Sequence, residues 1–537
     1  MSSQELEPEI NRNDDEETYL RYQSVGRTYA AFAAMCIVVL TESLDATSIA
    51  VILPSIAQSL RSSTTATFSF GISFLLASTV FQPIFASLSY VLGRKHVLLG
   101  GLALFLAGAI IAAVAGSTVV LLIGRTIQGV GAAGTISVTV IIVTDLVPLR
   151  QRPQWIGLLN GMWAIGSVTG PVIGGAFAAV DWHWIFWINI PLVVISSTGV
   201  VLCLRSSTPE GSLYSKFGRL DWVGAGLFLP STTAFFLALT FGGTAYPWSS
   251  TQILLPLVLG IVGISMFVVH QRSIASHPLI HLSVFANFTA NIGHLGTVIH
   301  GLLLWMLLYY LPLFYEGVLG YSPLITGIAT FPETFTVAPA AIGTGISISM
   351  TGSYRWAVWC GWLLTTLGIG LLCLLNENTS VVQWVFINLT AGIGLGMLVP
   401  AISCQIQAAT KDDDAGYAIS MFSFLRASGQ TIGVAVGGTI FQNQLKFGVL
   451  ASDQSSSVTA EGLLEVLRSL SNDTSQKNEV KMEVVNALRI VWATGCALSA
   501  AISILNIWIK DISLDRNVAT DAGAEKKPDV EQLEIEL

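Results

Sequence analysis

The chain has 537 residues, 53% of them hydrophobic and 11% charged, with a net charge of -8 and a mean hydropathy of +0.68. This balance is far more apolar than that of soluble domains, so a soluble enzyme is excluded and a nucleic-acid partner is not expected. The negative charge is concentrated in the two ends of the chain and says little about the apolar remainder.

The N-terminus, MSSQELEPEINRNDDEETYLRYQ, is polar and acidic and lacks the apolar core and cleavage site of a signal peptide. Residues 1–28 are read as a cytoplasmic tail. Apolar runs of about 20 residues then follow at 30–55, 67–90, 97–116, 118–144, 155–180, 184–204, 221–241, 252–271, 289–313, 323–348, 356–375, 382–408, 416–441 and 488–510. Lipid leaves no water for free backbone groups, and these runs do not alternate as barrel strands do, so each is predicted to be an α-helix. The expected fold is all-α and polytopic, with about 14 transmembrane helices. The polar stretch 442–487 is read as a long outer loop, and 513–537 as a second cytoplasmic tail.

Lys and Arg fall on alternate sides of the predicted spans. Arg94, Lys95, Arg150, Arg152, Arg205, Lys216, Arg219, Arg272, Arg355 and Lys411 share the side of both termini, against Arg61 alone in the opposite short loops. Both termini are therefore expected in the cytoplasm. The sequons at Asn378 and Asn472 then face outward as candidate glycosylation sites. Cys36, Cys203, Cys360, Cys373, Cys404 and Cys496 lie in predicted spans without metal-ligand spacing, and no GxxxxGK[ST] phosphate loop occurs. No metal, no cofactor and no direct use of ATP are expected. The run Asp412, Asp413 and Asp414 reads as a solvated turn.

An internal repeat organises the spans. Gly166, Gly170, Gly174 and Gly175 recur as Gly429, Gly433, Gly437 and Gly438, displaced by 263 residues, and Gln128–Gly131 recurs as Ala391–Gly394 at the same displacement. Two matches in neighbouring helices at one offset point to two parallel six-helix bundles. The predicted units are residues 29–206, a linker with inserted spans 7 and 8 over 207–286, and residues 287–512.

Several stretches carry a family resemblance: LDATSIAVILPSI at 44–56, FQPIFASLSYVLGRK at 81–95, RTIQGVGAAG at 125–134, GSVTGPVIGG at 166–175, WHWIFWINIP at 182–191, LDWVG at 220–224, YYLPLFYEGVLGYSPLITG at 309–327 and FSFLRASGQTIGVAVGG at 422–438. Together they resemble the major facilitator superfamily, and within it the fourteen-span fungal drug:proton antiporter 2 family. The resemblance implies a secondary active transporter, a monomer, that exports a small apolar metabolite, toxin or xenobiotic in exchange for protons. The plasma membrane is the implied location, with the vacuole as an alternative. A vacuolar basic amino acid carrier, a siderophore carrier and a non-transporting receptor are the rival readings. In the loop 2-3 motif Gly93, Arg94 and Lys95 stand as in the family, but Ala86 and Tyr90 replace its Gly and Asp, which puts the family's cytoplasmic charge interlock in question.

Ionisable side chains inside spans are costly and mark candidate functional sites. Arg125, with Gln128, Gly129 and Gly131 behind it, is implied by the resemblance to couple proton movement to conformational change; snorkelling to the outer surface is the alternative. Asp45, one turn after Glu42 on the same helix face, reads as a proton-binding carboxyl or as a structural one bonded to Thr47 or a neighbouring helix. Gly166, Gly170, Pro171, Gly174 and Gly175 form the antiporter motif, in which the small residues permit close packing and Pro171 alone is absent from the second half, its counterpart being Val434. Arg426, Glu333 and His300 are candidate cavity residues, each with a structural ion pair or packing role as the alternative.

Overall fold

The computed structural model describes residues 25–62, 64–178, 180–204, 212–243, 246–446 and 475–515. Among these residues there is no strand, only one isolated bridge between Gly242 and Tyr246. The first half consists of α1 (Val25–Leu60), α2 (Thr64–Val80 continued by Gln82–Leu92), α3 (Arg94–Ala113), α4 (Thr118–Leu146), α5 (Arg152–Ala178) and α6 (Trp184–Trp187 continued by Asn189–Cys203). An inserted pair follows, α7 (Trp222–Phe241) and α8 (Thr251–Ser273). The second half consists of α9 (Phe288–Leu313), α10 (Pro323–Thr351), α11 (Arg355–Leu372), α12 (Val381–Ala409), α13 (Ala415–Lys446) and α14 (Ser475–Leu505).

Eleven of these helices are long and apolar enough to cross a membrane, and α2 makes a twelfth if its two segments, bent by 44° around Phe81, form one span. Pro83 in the first turn of the second segment accounts for the bend, because it has no N–H to extend the preceding helix. The remaining two, α10 and α13, are 29 and 32 residues long but diluted by Thr, Ser, Gly and Pro. Both pack against several other helices, so their polar positions meet protein rather than lipid.

One expectation is corrected here. The polar stretch 442–487 is helical at both ends, since α13 runs to Lys446 and α14 begins at Ser475. Val480, Val484 and Leu488 recur at four-residue intervals and are buried, so the apolar stripe of α14 extends into a segment whose average polarity reads as loop. Asn472 lies outside the described residues.

The same pairings recur in the two halves. α3 packs on α4 as α11 packs on α12, α2 on α4 as α10 on α12, and α1 on α5 as α9 on α13. Arg27 at the start of α1 donates to the Cys203 carbonyl at the end of α6, and Arg150 before α5 bonds Asp515 after α14, which marks the terminus side. Between the halves α5 packs on α10 and α4 on α13. Hydrogen bonds joining them include Ser137 to Ser420 at 2.9 Å, Arg152 to Gln407 at 3.1 Å and Arg150 to the Ser349 carbonyl at 2.9 Å, all in the terminus-side portions of the helices.

α7 and α8 pair with each other, and α7 also reaches α13 and α2. Their terminus-side junction is tied by Asp221, which accepts from His270 at 2.9 Å, from Gln271 at 2.5 Å and from the Gly224 amide at 2.7 Å. Burial opposes ionisation of Asp221, but these hydrogen bonds outweigh it and hold the carboxyl below the usual carboxylate range.

Candidate functional site

Arg125 lies two turns into α4 with its guanidinium fully buried, so it does not snorkel. Nη1 donates to Asp45 Oδ2 on α1 at 2.5 Å and to Gln128 Oε1 at 2.7 Å, while Nε donates to the Phe70 carbonyl of α2 at 3.3 Å. Asp45 Oδ1 accepts from Gln128 Nε2 and from Asn189 Nδ2 of α6, each at 2.8 Å. The rings of Phe74 and Phe186 lie 4.3 Å and 5.7 Å from the guanidinium carbon, within cation–π range. Helices α1, α2, α4 and α6 therefore converge on one ion pair. Asp45 is bonded to neighbouring helices and not to Thr47, whose hydroxyl donates to the Ser43 carbonyl at 2.7 Å.

Three donors and no acceptor surround Asp45, a set that fits a carboxylate, which only accepts. A proton placed on Asp45 would cancel the charge that holds Arg125 and set a donor against donors. A buried pair that loses one charge is strongly destabilised, by about 3–5 kcal/mol. The centre is thus suited to two discrete arrangements rather than a graded response. Glu42, one turn earlier on α1, is also buried; Thr135 of α4 donates to Oε1, and Oε2 has no partner.

The glycine ladder fastens the same helix. A Cβ at Gly166, Gly170 or Gly174 would overlap Ser43, Thr47 or the Ser48 carbonyl, so α5 can lie this close to α1 only without side chains there. The mirror contact brings Gly429 and Gly433 against the Val298 and Leu302 carbonyls of α9. Gly175, half-buried, is beside this contact. Thr47 donates to the Gly166 carbonyl at 3.3 Å and Ser48 to the Gly170 carbonyl at 3.0 Å, so hydroxyls of α1 bond the backbone just before Pro171. Pro171 lies inside α5 and supplies no N–H to the helix ladder. The proline step is thereby coupled to the helix that carries Asp45. Pro171→Val should restore that ladder bond and slow turnover about tenfold, which corresponds to roughly 1.4 kcal/mol on the barrier; unchanged dye transport by reconstituted protein would show that the step is only structural.

The candidate cavity residues are not brought together with Asp45. Among the described residues Arg426 of α13 has no carboxylate partner; Nη1 donates across the halves to Asn160 of α5 at 3.0 Å. His300 is buried with Nε2 3.0 Å from the Leu395 carbonyl, the packing alternative named for it. Glu333 is buried in α10 with Oε1 unpartnered. Asn378 is exposed in the turn before α12, on the side opposite the termini.

Asn189, Phe74, Phe186 and Thr135 are the site residues that inspection of the sequence did not single out. Asn189 had a signal, an amide in the apolar stretch WINIP. The two phenylalanines had none among the chain's 25.

A sequence model described as Major Facilitator Superfamily matches residues 35–434. The chain belongs to the major facilitator superfamily. It is 44% identical to MFS transporter L2 of Phoma sp., over 96% of this chain and 87% of that protein. It is 31% identical to Efflux pump FUS6 of Gibberella moniliformis, over 95% of this chain and 92% of that one. The crystal structure of the human organic anion transporter MFSD10 superimposes with a TM-score of 0.58 at 15% identity, covering 90% of this chain and all of the other, a likeness of fold. The protein is a multi-pass membrane transporter and not an enzyme.

In this major facilitator transporter the loop 2-3 motif combines an ion pair with stacked rings. Gly93, at φ 92°, provides the left-handed turn between α2 and α3. Arg94 bonds Asp145 of α4 at 3.0 Å and lies 4.1 Å over the Tyr90 ring, and Lys95 donates to the Val201 carbonyl at 2.7 Å. Tyr90 stacks on Tyr417 of α13 with centroids 4.1 Å apart, and Tyr417 stacks on His281 of the α8–α9 linker at 3.8 Å. His281 Nδ1 is 3.2 Å from Asp414 Oδ1. The rings of Tyr90, Tyr417 and His281 form a column linking both halves and the linker. Asp414 is accordingly part of this latch and not simply a solvated turn residue.

Proposed function

We propose that the transporter exports a small apolar organic compound by alternating access, driven by protons moving inward, with the terminus side cytoplasmic. The observation that carries this reading is the buried Asp45–Arg125 pair, closed by Gln128 and Asn189, at the contact of four helices. A proton arriving at Asp45 from the opposite side breaks the pair and frees Arg125 to move with α4. Glu42 acts beside Asp45 on the same face. The glycine ladders let α1 slide on α5 and α9 on α13, and the two halves rock about the site.

Related chains named as efflux pumps support the outward direction. The energetics are sufficient: one charge crossing 100 mV releases about 2.3 kcal/mol, and a tenfold proton gradient adds about 1.4 kcal/mol. Their sum sustains roughly a few hundredfold accumulation of a neutral cargo per proton. A cationic cargo is disfavoured, because Asp45 is already committed to Arg125. Export at the plasma membrane by a monomer, with glycosylation at Asn378, completes the proposal.

The test is transport by protein reconstituted in liposomes with an imposed pH gradient, using a panel of neutral lipophilic fluorophores. Accumulation against the gradient of dye that collapses with a protonophore is expected. Gradient-independent equilibration of every dye would overturn proton coupling.

A further inference from the structure

The internal repeat extends beyond the glycines to the polar centre itself. At the displacement of 263 residues the counterpart of Arg125 is Asn388, and that of Gly129 is Gly392. Gly129 backs onto Phe74 and Ala77 of α2, and Gly392 onto Glu333 and Thr336 of α10, so Glu333 is the counterpart of Phe74. The hydrogen bonds obey the same relation. Arg125 Nε donates to the Phe70 carbonyl at 3.3 Å, and Asn388 Nδ2 donates to the Ala329 carbonyl at 3.3 Å. The second half thus holds a centre of the same construction with its chemistry exchanged: the cation of the helix-4 position is gone, and a carboxyl stands where the first half has a phenyl ring.

This second centre is closed. Glu333, Asn388 and Tyr315 are 1%, 0% and 0% exposed. Asn388 Nδ2 also donates to the Tyr315 hydroxyl at 2.5 Å, and Tyr315 lies in the π-helical turn Phe314–Val318 that continues α9. Such π turns are local departures from α-helical geometry that recur at functional sites. Two buried acceptors remain without a donor, Glu333 Oε1 and Asn388 Oδ1. Among the described residues no cation pairs with Glu333, and Tyr315 lies close enough to feel its charge. A buried carboxyl short of a donor and short of positive charge is one that a proton stabilises, since the neutral acid needs no counter-charge.

We propose that Glu333, with Tyr315 and Asn388 around it, is a second proton-binding site, the C-terminal counterpart of the Asp45–Arg125 centre. Asn388 lies as far into α12 as Arg125 lies into α4, about 10 Å from the end opposite the termini. Both sites are therefore near the face from which the proposed protons enter. The proposal rests on the proton-coupled reading above, but its test does not require transport.

The experiment is infrared difference spectroscopy of the purified full-length protein between acid and alkaline pH, which reads the carbonyl stretch of protonated carboxyl groups without any cargo. The wild-type protein should show a titrating carboxyl band that is lost in Glu333→Gln, shifted in both Tyr315→Phe and Glu333→Asp, and unchanged in Asp45→Asn. Identical difference spectra for wild type and a folded Glu333→Gln protein would overturn the site. If Glu333→Gln does not fold, Glu333→Asp and Tyr315→Phe decide: unshifted bands in both would overturn it equally. A band that behaves as expected in a protein that moves no dye would leave the proton site standing and sink the coupled-export reading instead.

Discussion

Asp45→Asn is expected to abolish proton-driven dye accumulation in liposomes, with a loss of at least about 100-fold, or roughly 2.7 kcal/mol of coupling. The amide keeps the size of the carboxyl but not its charge, so Arg125 is left buried with Gln128 and two aromatic faces for company. The same change should destabilise the protein, because removing one member of a buried pair typically costs about 3–5 kcal/mol. Stability and coupling can be separated with the double variant Asp45→Asn/Arg125→Gln. It removes both charges and should recover most of the lost thermal stability, while accumulation stays absent. Recovery of accumulation in the double variant would show that the pair is only a structural brace.

Tyr417→Ala should open the terminus side. The ring of Tyr417 is the middle of the column from Arg94 through Tyr90 to His281, and it is the member carried by α13. Stacked pairs contribute about 0.5–1.5 kcal/mol beyond burial, and removing this ring deletes two contacts at once. A combined change of about 1–2 kcal/mol shifts a two-state ratio by a factor of roughly 5–30. The measurement is hydrogen exchange in the first turns of α13, where protection should fall by that factor with the Asp45 centre intact. Unchanged exchange would mean that the column does not hold the halves together. Gly416→Ala offers an independent check, since its methyl would overlap the Tyr90 hydroxyl. It should loosen the same turns without removing any ring.

Much of the architecture was legible from hydropathy alone, because lipid imposes one rule on every span. The places where that reading failed share a cause. The start of α14 at Ser475 was hidden because an amphipathic stretch averages to polar, although Val480 and Val484 keep helical spacing. The glycine repeat was visible because glycine is required wherever two backbones touch, whatever the partner. Arg125 and Asp45 were both visible as charges inside apolar runs, yet their pairing was not, since 80 residues separate them. Phe74 and Phe186 stayed hidden for the same reason, as ordinary residues made special only by what they face.

The sequence by itself determined that the chain is an all-helical membrane bundle, that its halves repeat, and which few residues carry charge inside apolar runs. These properties are local, written in composition and spacing. Only the tertiary structure decided that Arg125 closes on Asp45, that Tyr90 stacks on Tyr417, and that Glu333 occupies the place of Phe74. Those outcomes depend on how closely helices approach and at what depth their faces meet. That geometry arises from contacts between distant segments, so no single stretch of the chain encodes it.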